Sequence, residues 1–260
     1  MSSTNTITSA PATAAGAFSG KVAFVTGGSR GIGAGIVRRL ARDGATVAFT
    51  YQQAGAAANA LAAEIEAQGN RALPIRADAA DADALRAAVG RAGRELGKID
   101  ILVNNAGILR LGDVATFALA DFDQTWAVNV RAVFIAIQAA LPFMAAGGRI
   151  INIGSTNAHR MPFAGGGAYA MSKSALLGLV QGYARDLGPR GITINNVQPG
   201  PVDTDMNPGS GDFATQLHGL MAIARHGTAA EIAGMVAYLA SPEAAYVTGA
   251  SLNIDGGFAA

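Results

Sequence analysis

Along the chain, short runs of apolar residues alternate with longer stretches in which apolar positions recur every three or four residues. The runs KVAFVT (21–26), TVAFT (46–50), ALPIR (72–76), IDILVN (99–104), RIINI (149–153), ITINNV (192–197) and SLNI (251–254) predict strands. Several are apolar at nearly every position, as strands covered on both faces must be. Helices are predicted near 31–43, 54–69, 81–96, 121–144, 168–187 and 229–240. Asp121 followed by Gln124 reads as a capping box opening the fourth of these, with Pro142 near its end. Strand–helix alternation throughout predicts an α/β fold, a doubly wound parallel sheet of about seven strands with helices on both faces. No repeat or linker divides it, so residues 19–260 are expected to form one domain.

Two stretches break the pattern. Residues 1–18, rich in Ser, Thr, Ala and Gly, lack both periodicity and the basic start and apolar run of a signal peptide, and are expected to be a flexible tail. Segment 203–225 begins with turn formers and contains Pro208, Gly209 and Gly211 before turning weakly helical. A long excursion between late elements is expected to be a lid over a site, or else a tolerated surface insertion.

With 50% hydrophobic and only 14% charged residues, a chain of 260 can bury a large core. The net charge of +1, with both signs mixed along the chain, argues against nucleic acid or an anionic membrane as partner. No cysteine is present, which excludes disulfides and thiolate chemistry, and His159, His218 and His226 show no ligand spacing, so no metal is expected. No run of 18 uninterrupted apolar residues occurs, and a soluble, cytoplasmic protein is expected.

The first loop, VTGGSRGIG, follows the first strand and runs into the first helix. Gly27, Gly31 and Gly33, with Ser29 and Ile32 among them, let the backbone approach a ligand, and the helix start offers N–H groups to an anion. In this context the loop predicts a dinucleotide site. The second strand ends in Tyr51, Gln52 and Gln53, with no acid before Glu64 to accept ribose hydroxyls or repel a 2′-phosphate. Arg30 can give that phosphate charge-assisted hydrogen bonds, so NADP(H) is favoured over NAD(H). Farther on, Tyr169 and Lys173 lie four positions apart in a helical run, on one face. The pair is either a lysine stem lying against an aromatic ring or a tuned phenol.

Taken in order, TGGSRGIG (26–33), NNAG (104–107), Asn129, Ser155, YAMSK (169–173), PG (199–200) and IDGG (254–257) resemble the short-chain dehydrogenase/reductase family over roughly residues 20–260. Within it the chain looks most like the 3-oxoacyl-carrier-protein reductase type and its carbonyl reductase relatives. The resemblance implies a Rossmann-type fold and an NADP-dependent oxidoreductase that reduces a ketone to a secondary alcohol, reversibly. Tyr169 would give the proton. A phenol with pKa about 10 does so poorly unless Lys173 and the oxidised nicotinamide favour the phenolate, and lowering it by about 3 units needs roughly 4 kcal/mol. Lys173 would also bind the nicotinamide ribose, Ser155 (or its neighbour Thr156) would hold the substrate oxygen, and Asn129 would bend its helix and hold a relay water. Asp78, followed by Ala79, resembles the acid that binds adenine, though it could instead cap the next helix, for which Asp81 is better placed. Asn104, Asn105, Ala106 and Gly107 end the fourth strand, where the small residues would admit the adenosine ribose, and Pro199, Gly200, Val202 and Thr204 would hold the carboxamide. Ser155 stands one residue farther from Tyr169 than is commonest, a change that the loop TNAHRMPFAGGG (156–167) is expected to absorb.

The substrate is less defined. An acyl group on an acidic carrier protein would call for a basic patch, with Arg131 and Arg160 as candidates. Met206, Phe213, Leu217, Leu220 and Met221 in the lid form either an apolar pocket wall or ordinary packing. Ala168, Ala170, Ser174, Ala175, Gly178 and Gly182 would let another helix approach 168–187, and the apolar SLNIDGGFAA end suggests packing on a neighbour. The resemblance implies a homotetramer. A silent nucleotide sensor, an isomerase or dehydratase working through transient oxidation, and a dehydrogenase working mainly in the oxidative direction are the alternatives.

Overall fold

The computed structural model describes residues 16–260. Seven strands, β1 (Val22–Val25), β2 (Thr46–Tyr51), β3 (Ala72–Arg76), β4 (Ile101–Asn104), β5 (Arg149–Ile153), β6 (Thr193–Pro199) and β7 (Ser251–Ile254), form one sheet in the order β3-β2-β1-β4-β5-β6-β7. Every pairing is parallel. The order reverses between β1 and β4, which opens a crevice at the carboxyl ends of those strands.

Period-two alternation explains why the strands read as continuous apolar runs. Ala23 and Val25 point to one core and Phe24 to the other, all three fully buried. The first core is closed by α1 (Gly31–Arg42), α2 (Gly55–Ala67) and, later in the chain, α8 (Ala229–Ala240), through residues such as Leu40, Leu61 and Val236. The second is closed by α3 (Ala82–Leu96), α5 (Ala132–Ala140) and α6 (Gly167–Leu187), through Val89, Ala136 and Leu176. Burying a Val or Leu side chain stabilises by roughly 1.5–3 kcal/mol.

Some elements differ from expectation. The tail boundary falls too late: Phe18 is buried in the first core, and its N–H donates to the Asp43 carbonyl at 2.7 Å. Residues 1–15 lie outside the described residues. The fourth predicted helix starts earlier, as α4 (Leu119–Trp126), with no side-chain cap. Asp121 therefore sits in its first turn, and Gln124 accepts from Arg110 Nη2 instead of closing a capping box. A π turn (Ala127–Arg131) leads into α5, and Pro142 falls in a closing 3-10 turn. Leu119–Phe143 as a whole is long and apolar enough to cross a membrane, but half of it is buried inside the protein. A capping box does occur at α8, where Thr228 accepts from Glu231 N–H while Glu231 accepts from Thr228 N–H. The weakly helical part of 203–225 forms α7 (Asp212–His218).

Candidate active site

Main-chain geometry builds the glycine loop. Thr26 Oγ1 accepts from the N–H groups of Asn105 (2.9 Å) and Ala106 (3.0 Å), and Asn105 Nδ2 donates back to the carbonyls of Thr26 and Gly27. This stitches β1 to β4 across the crevice. Gly27 has φ +64°, and a Cβ there would stand 3.0 Å from Ala106 Cα. A Cβ on Gly33 would strike the Gly27 carbonyl. Only glycine tolerates both positions. At α1, Arg30 is the N-cap but its side chain caps nothing, and the first turn carries no acid. The amides there face a cradle suited to a pyrophosphate, so a dinucleotide fits.

The cavity beside this loop has a volume of 990 Å³ and runs the width of the crevice. From Ser29, Arg30 and Tyr51 to Pro199, Val202 and Thr204, the residues assigned from the sequence to the cofactor line it, and Thr204 stands against the glycine loop, 3.4 Å from where a Cβ on Gly31 would be. Asn104 does not line it and donates to Asn152 instead. Gln52 and Asp78 are linked, Gln52 Nε2 donating to Asp78 Oδ2 at 2.7 Å, and Asp78 Oδ1 accepts from Ala80 N–H. Asp78 does not cap α3; Asp81 does, accepting from the amides of Asp83 and Ala84. Arg30 is exposed, with Nη1 4.0 Å from Asp205.

Ser155, Tyr169 and Lys173 line the same cavity, and Asn129 lies just behind it. Ser155 leaves the end of β5 with its N–H donating to Gln198 Oε1 at 2.6 Å, and its Oγ accepts from Asn157 N–H at 3.1 Å. Thr156, the competing hydroxyl, is buried and donates to the Pro199 carbonyl. One turn of α6 aligns Tyr169 and Lys173, with Lys173 Nζ 5.7 Å from the phenol ring centroid and donating to the Ile153 carbonyl at 2.9 Å. Asn129, in the π turn, accepts from Ile108 N–H and donates to the Ile108 carbonyl and to Ser172 Oγ. A Cβ added to Gly107 would lie 3.5 Å from both Asn129 Oδ1 and Lys173 Nζ, which places all three in one neighbourhood.

Electrostatics here depart from expectation. Burial pushes the Tyr169 phenol above its ordinary pKa, and hydrogen bonding with Ser155 opposes the rise. Burial pulls the Lys173 ammonium down to about 8. Within the chain's own groups, desolvation outweighs the help that an ammonium was expected to give the phenolate.

The lid residues divide by role. Leu217 and Met221 pack with Phe258 in a small core of their own, whereas Met206 and Phe213 are more than half exposed beside the cavity. Phe258, 2% exposed, accounts for the apolar terminus within the chain itself. Arg160 is not free for a carrier: it donates to the Phe258 carbonyl and covers the ring. Arg131 donates to the Ala80 carbonyl. Sequence reading missed Met161 and Phe163 on the cavity wall, because a loop's wall residues carry no periodic signal, and Gln198 of β6 behind Ser155, because that contact forms only once β5 and β6 are paired. It also treated the histidines as scattered, yet His218 Nε2 and His226 Nδ1 lie 2.8 Å apart. Among the described residues, no group of three acidic, histidine or cysteine side chains could hold a metal.

A sheet with this switch point, a glycine loop at its first helix and a Tyr–Lys pair on α6 define a nucleotide-binding oxidoreductase class. The chain belongs to the short-chain dehydrogenase/reductase family, and residues 27–259 match the family described as enoyl-(acyl carrier protein) reductase. It is 52% identical to the cyclic-di-GMP-binding biofilm dispersal mediator protein of Escherichia coli strain K12, over 94% of this chain and 100% of that one. A short-chain dehydrogenase/reductase structure from Serratia marcescens superposes with a TM-score of 0.92 at 62% identity, covering 94% of this chain and 99% of that one. A short chain dehydrogenase from Burkholderia cenocepacia in complex with NADP gives a TM-score of 0.92 at 53% identity, with the same coverage.

Proposed function

We propose that the protein is an NADP(H)-dependent reductase that converts a ketone to a secondary alcohol, reversibly. The observation that carries this reading is the convergence of Ser155, Tyr169 and Lys173 in the cavity that the glycine loop also lines. NADP(H) is favoured because Arg30 stands exposed in the loop and no acid follows β2; the Burkholderia cenocepacia relative in complex with NADP agrees. Bound NADPH would supply hydride to the carbonyl carbon. Ser155 Oγ would donate a hydrogen bond to the carbonyl oxygen, and Tyr169 would pass its proton to that oxygen as charge develops. A phenol kept protonated by burial suits the donor's part in the reduction. Lys173, with its pKa near 8, remains mostly cationic at pH 7 and would stabilise the phenolate left behind. Asn129 would keep Ile108 and, through Ser172, the second turn of α6 in place. The same reading includes a homotetramer: Gly178 and Gly182 of α6 face open space, and Phe134 and Met171 are exposed.

A second reading, a regulatory nucleotide binder, draws on the full-length similarity to the Escherichia coli cyclic-di-GMP-binding protein. Both ligands carry phosphates and would compete for the amides of α1. One experiment separates the readings: absorbance of NADPH is followed with a panel of β-keto esters, with wild type and Tyr169→Phe. The reductase reading expects turnover that falls at least about 100-fold in the variant, the usual weight of acid–base catalysis, while NADPH binding persists. Saturable cyclic-di-GMP binding with no NADPH consumption favours the regulatory reading.

A further inference from the structure

We propose that the site takes a neutral ketone bearing a bulky apolar group, and discriminates against free keto acids and against acyl groups on phosphorylated carriers. This rests on the reductase reading above. Among the described residues, the charged side chains lining the cavity are Arg30, Asp78, Lys173 and Asp205. Arg30 and Asp78 belong to the glycine-loop end, and Asp205 faces Arg30 at 4.0 Å. Lys173 is 4% exposed, with Nζ committed to the Ile153 carbonyl. The cavity's apolar lining includes Leu111, Met161, Phe163, Met206 and Phe213, with the packed Leu217 behind them, and the polar side chains Gln124, Asn157 and Asn207 that also line it are neutral. Phe163, from the loop before α6, meets Phe213 of α7 with ring centroids 5.6 Å apart and planes tilted by 49°. Both rings are more than a third exposed, so they offer apolar surface that a substrate group can cover. A carboxylate or phosphate lodged there would lose water and gain no cation.

The arginines that adjoin this wall in sequence are already engaged. Arg110 holds Gln124 and lies 3.7 Å from Asp121. Arg160 holds the Phe258 carbonyl and ring. Arg225 grips Glu231 at 2.6 Å. Recruiting any of them to a carrier's phosphate would give up a bond the fold now makes. That cost is small for the half-exposed pairs of Arg110 and Arg225, so the apolar wall and not these pairs is the main bar to an anion.

Four substrates sharing one 3-oxo-3-phenylpropanoyl group test the proposal at saturating NADPH: the ethyl ester, the N-acetylcysteamine thioester, the ionised free acid and the coenzyme A thioester. The two neutral compounds are expected to exceed the two anionic ones in kcat/KM by at least about tenfold, the ester and the small thioester grouping together. Placing a cation on the wall, by Phe213→Arg or by Met206→Arg, is expected to narrow the ester-to-acid ratio about tenfold, mainly through KM. Equal or better turnover of the free acid or the coenzyme A thioester overturns the proposal and leaves the reductase reading standing. A ratio unmoved in both variants also overturns it. No turnover of any of the four removes the reductase reading and this proposal together.

Discussion

Lys173 keeps an amine at 4% exposure, where the ordinary solvation of an ammonium is gone and one carbonyl is its recorded hydrogen-bond partner. Its pKa, lowered to about 8 from 10.5, means that the folded chain holds fewer protons here than the unfolded chain between those two values. Stability therefore rises with pH across that window, and below pH 8 the full cost of the buried charge, on the order of 3 kcal/mol, is present. Replacing the amine with an apolar chain of similar length removes this cost and forfeits one hydrogen bond to a charged group, worth roughly 1.5–3 kcal/mol. Lys173→Met is thus expected to melt no lower than wild type at pH 7 and to lose turnover, as thermal denaturation beside the NADPH assay will show. A lower melting temperature would mean that the amine supports the fold. Chemistry at this scale was the most legible in the sequence: Gly27 and Gly33, Ser155 and Thr156, and the Tyr169–Lys173 turn could be placed because loop and helix geometry follow from neighbouring residues. The balance of charge was not legible, since desolvation depends on side chains that arrive from distant strands.

Elements were legible where their signals are local and not where two of them must meet. The strand runs and the cap at Asp81 fell where propensity and periodicity put them. The supposed box at Asp121 failed because Ala118 is already extended and the chain turns helical at Leu119, two residues upstream. Nothing in WAVNVRAVF announced the π turn, which serves Asn129's bonds to Ile108 and Ser172, residues 21 and 43 positions away. The row Asn104–Asn152–Asn196, joined side chain to side chain across β4, β5 and β6, likewise exists only once the strands are in register. The link between α7 and the loop before α8 belongs here too. His218 Nε2 and His226 Nδ1 share a hydrogen bond, and His226 is buried with Asp203 as the opposing charge; Arg225 beside it is paired with Glu231. Burial, then His218, hold the His226 pKa below 6.5, and Asp203 opposes them. A depressed pKa makes the contribution present above pH 6.5 and lost as pH falls below it, where the unfolded chain takes the proton first. Urea unfolding at pH 7.5 and pH 5.5 should therefore show wild type losing more stability than His226→Leu. Parallel losses would show that the pair does not titrate against folding.

At the scale of the whole molecule, the topology made the site inferable before any contact was known. Parallel strands end on one side, the order reverses between β1 and β4, and a ligand laid across that reversal touches both halves of the sheet. Arg30, Tyr51 and Gln52 come from the β1–β3 half, and Asn105, Ser155 and Pro199 from the β4–β6 half, all lining one cavity. A ligand spanning them binds only the assembled fold. At a concentration 100 times its Kd it adds about 2.7 kcal/mol, on the order of 5–10 °C in melting temperature for a chain of this size. NADPH is expected to give a rise of that order in a thermal-shift titration. NADH lacks the phosphate that Arg30 would hold, and losing a hydrogen bond to a charged group costs roughly 1.5–3 kcal/mol, so its affinity should fall about tenfold or more and its shift at equal concentration should be smaller. Equal shifts would remove Arg30 from the selection of cofactor. The Asp205 contact does not stand in the way, because both partners are exposed, with side chains 70% and 82% accessible, and an ion pair so placed is worth no more than about 1 kcal/mol. A phosphate carrying close to two charges at the mouth of the glycine loop outcompetes it for the guanidinium.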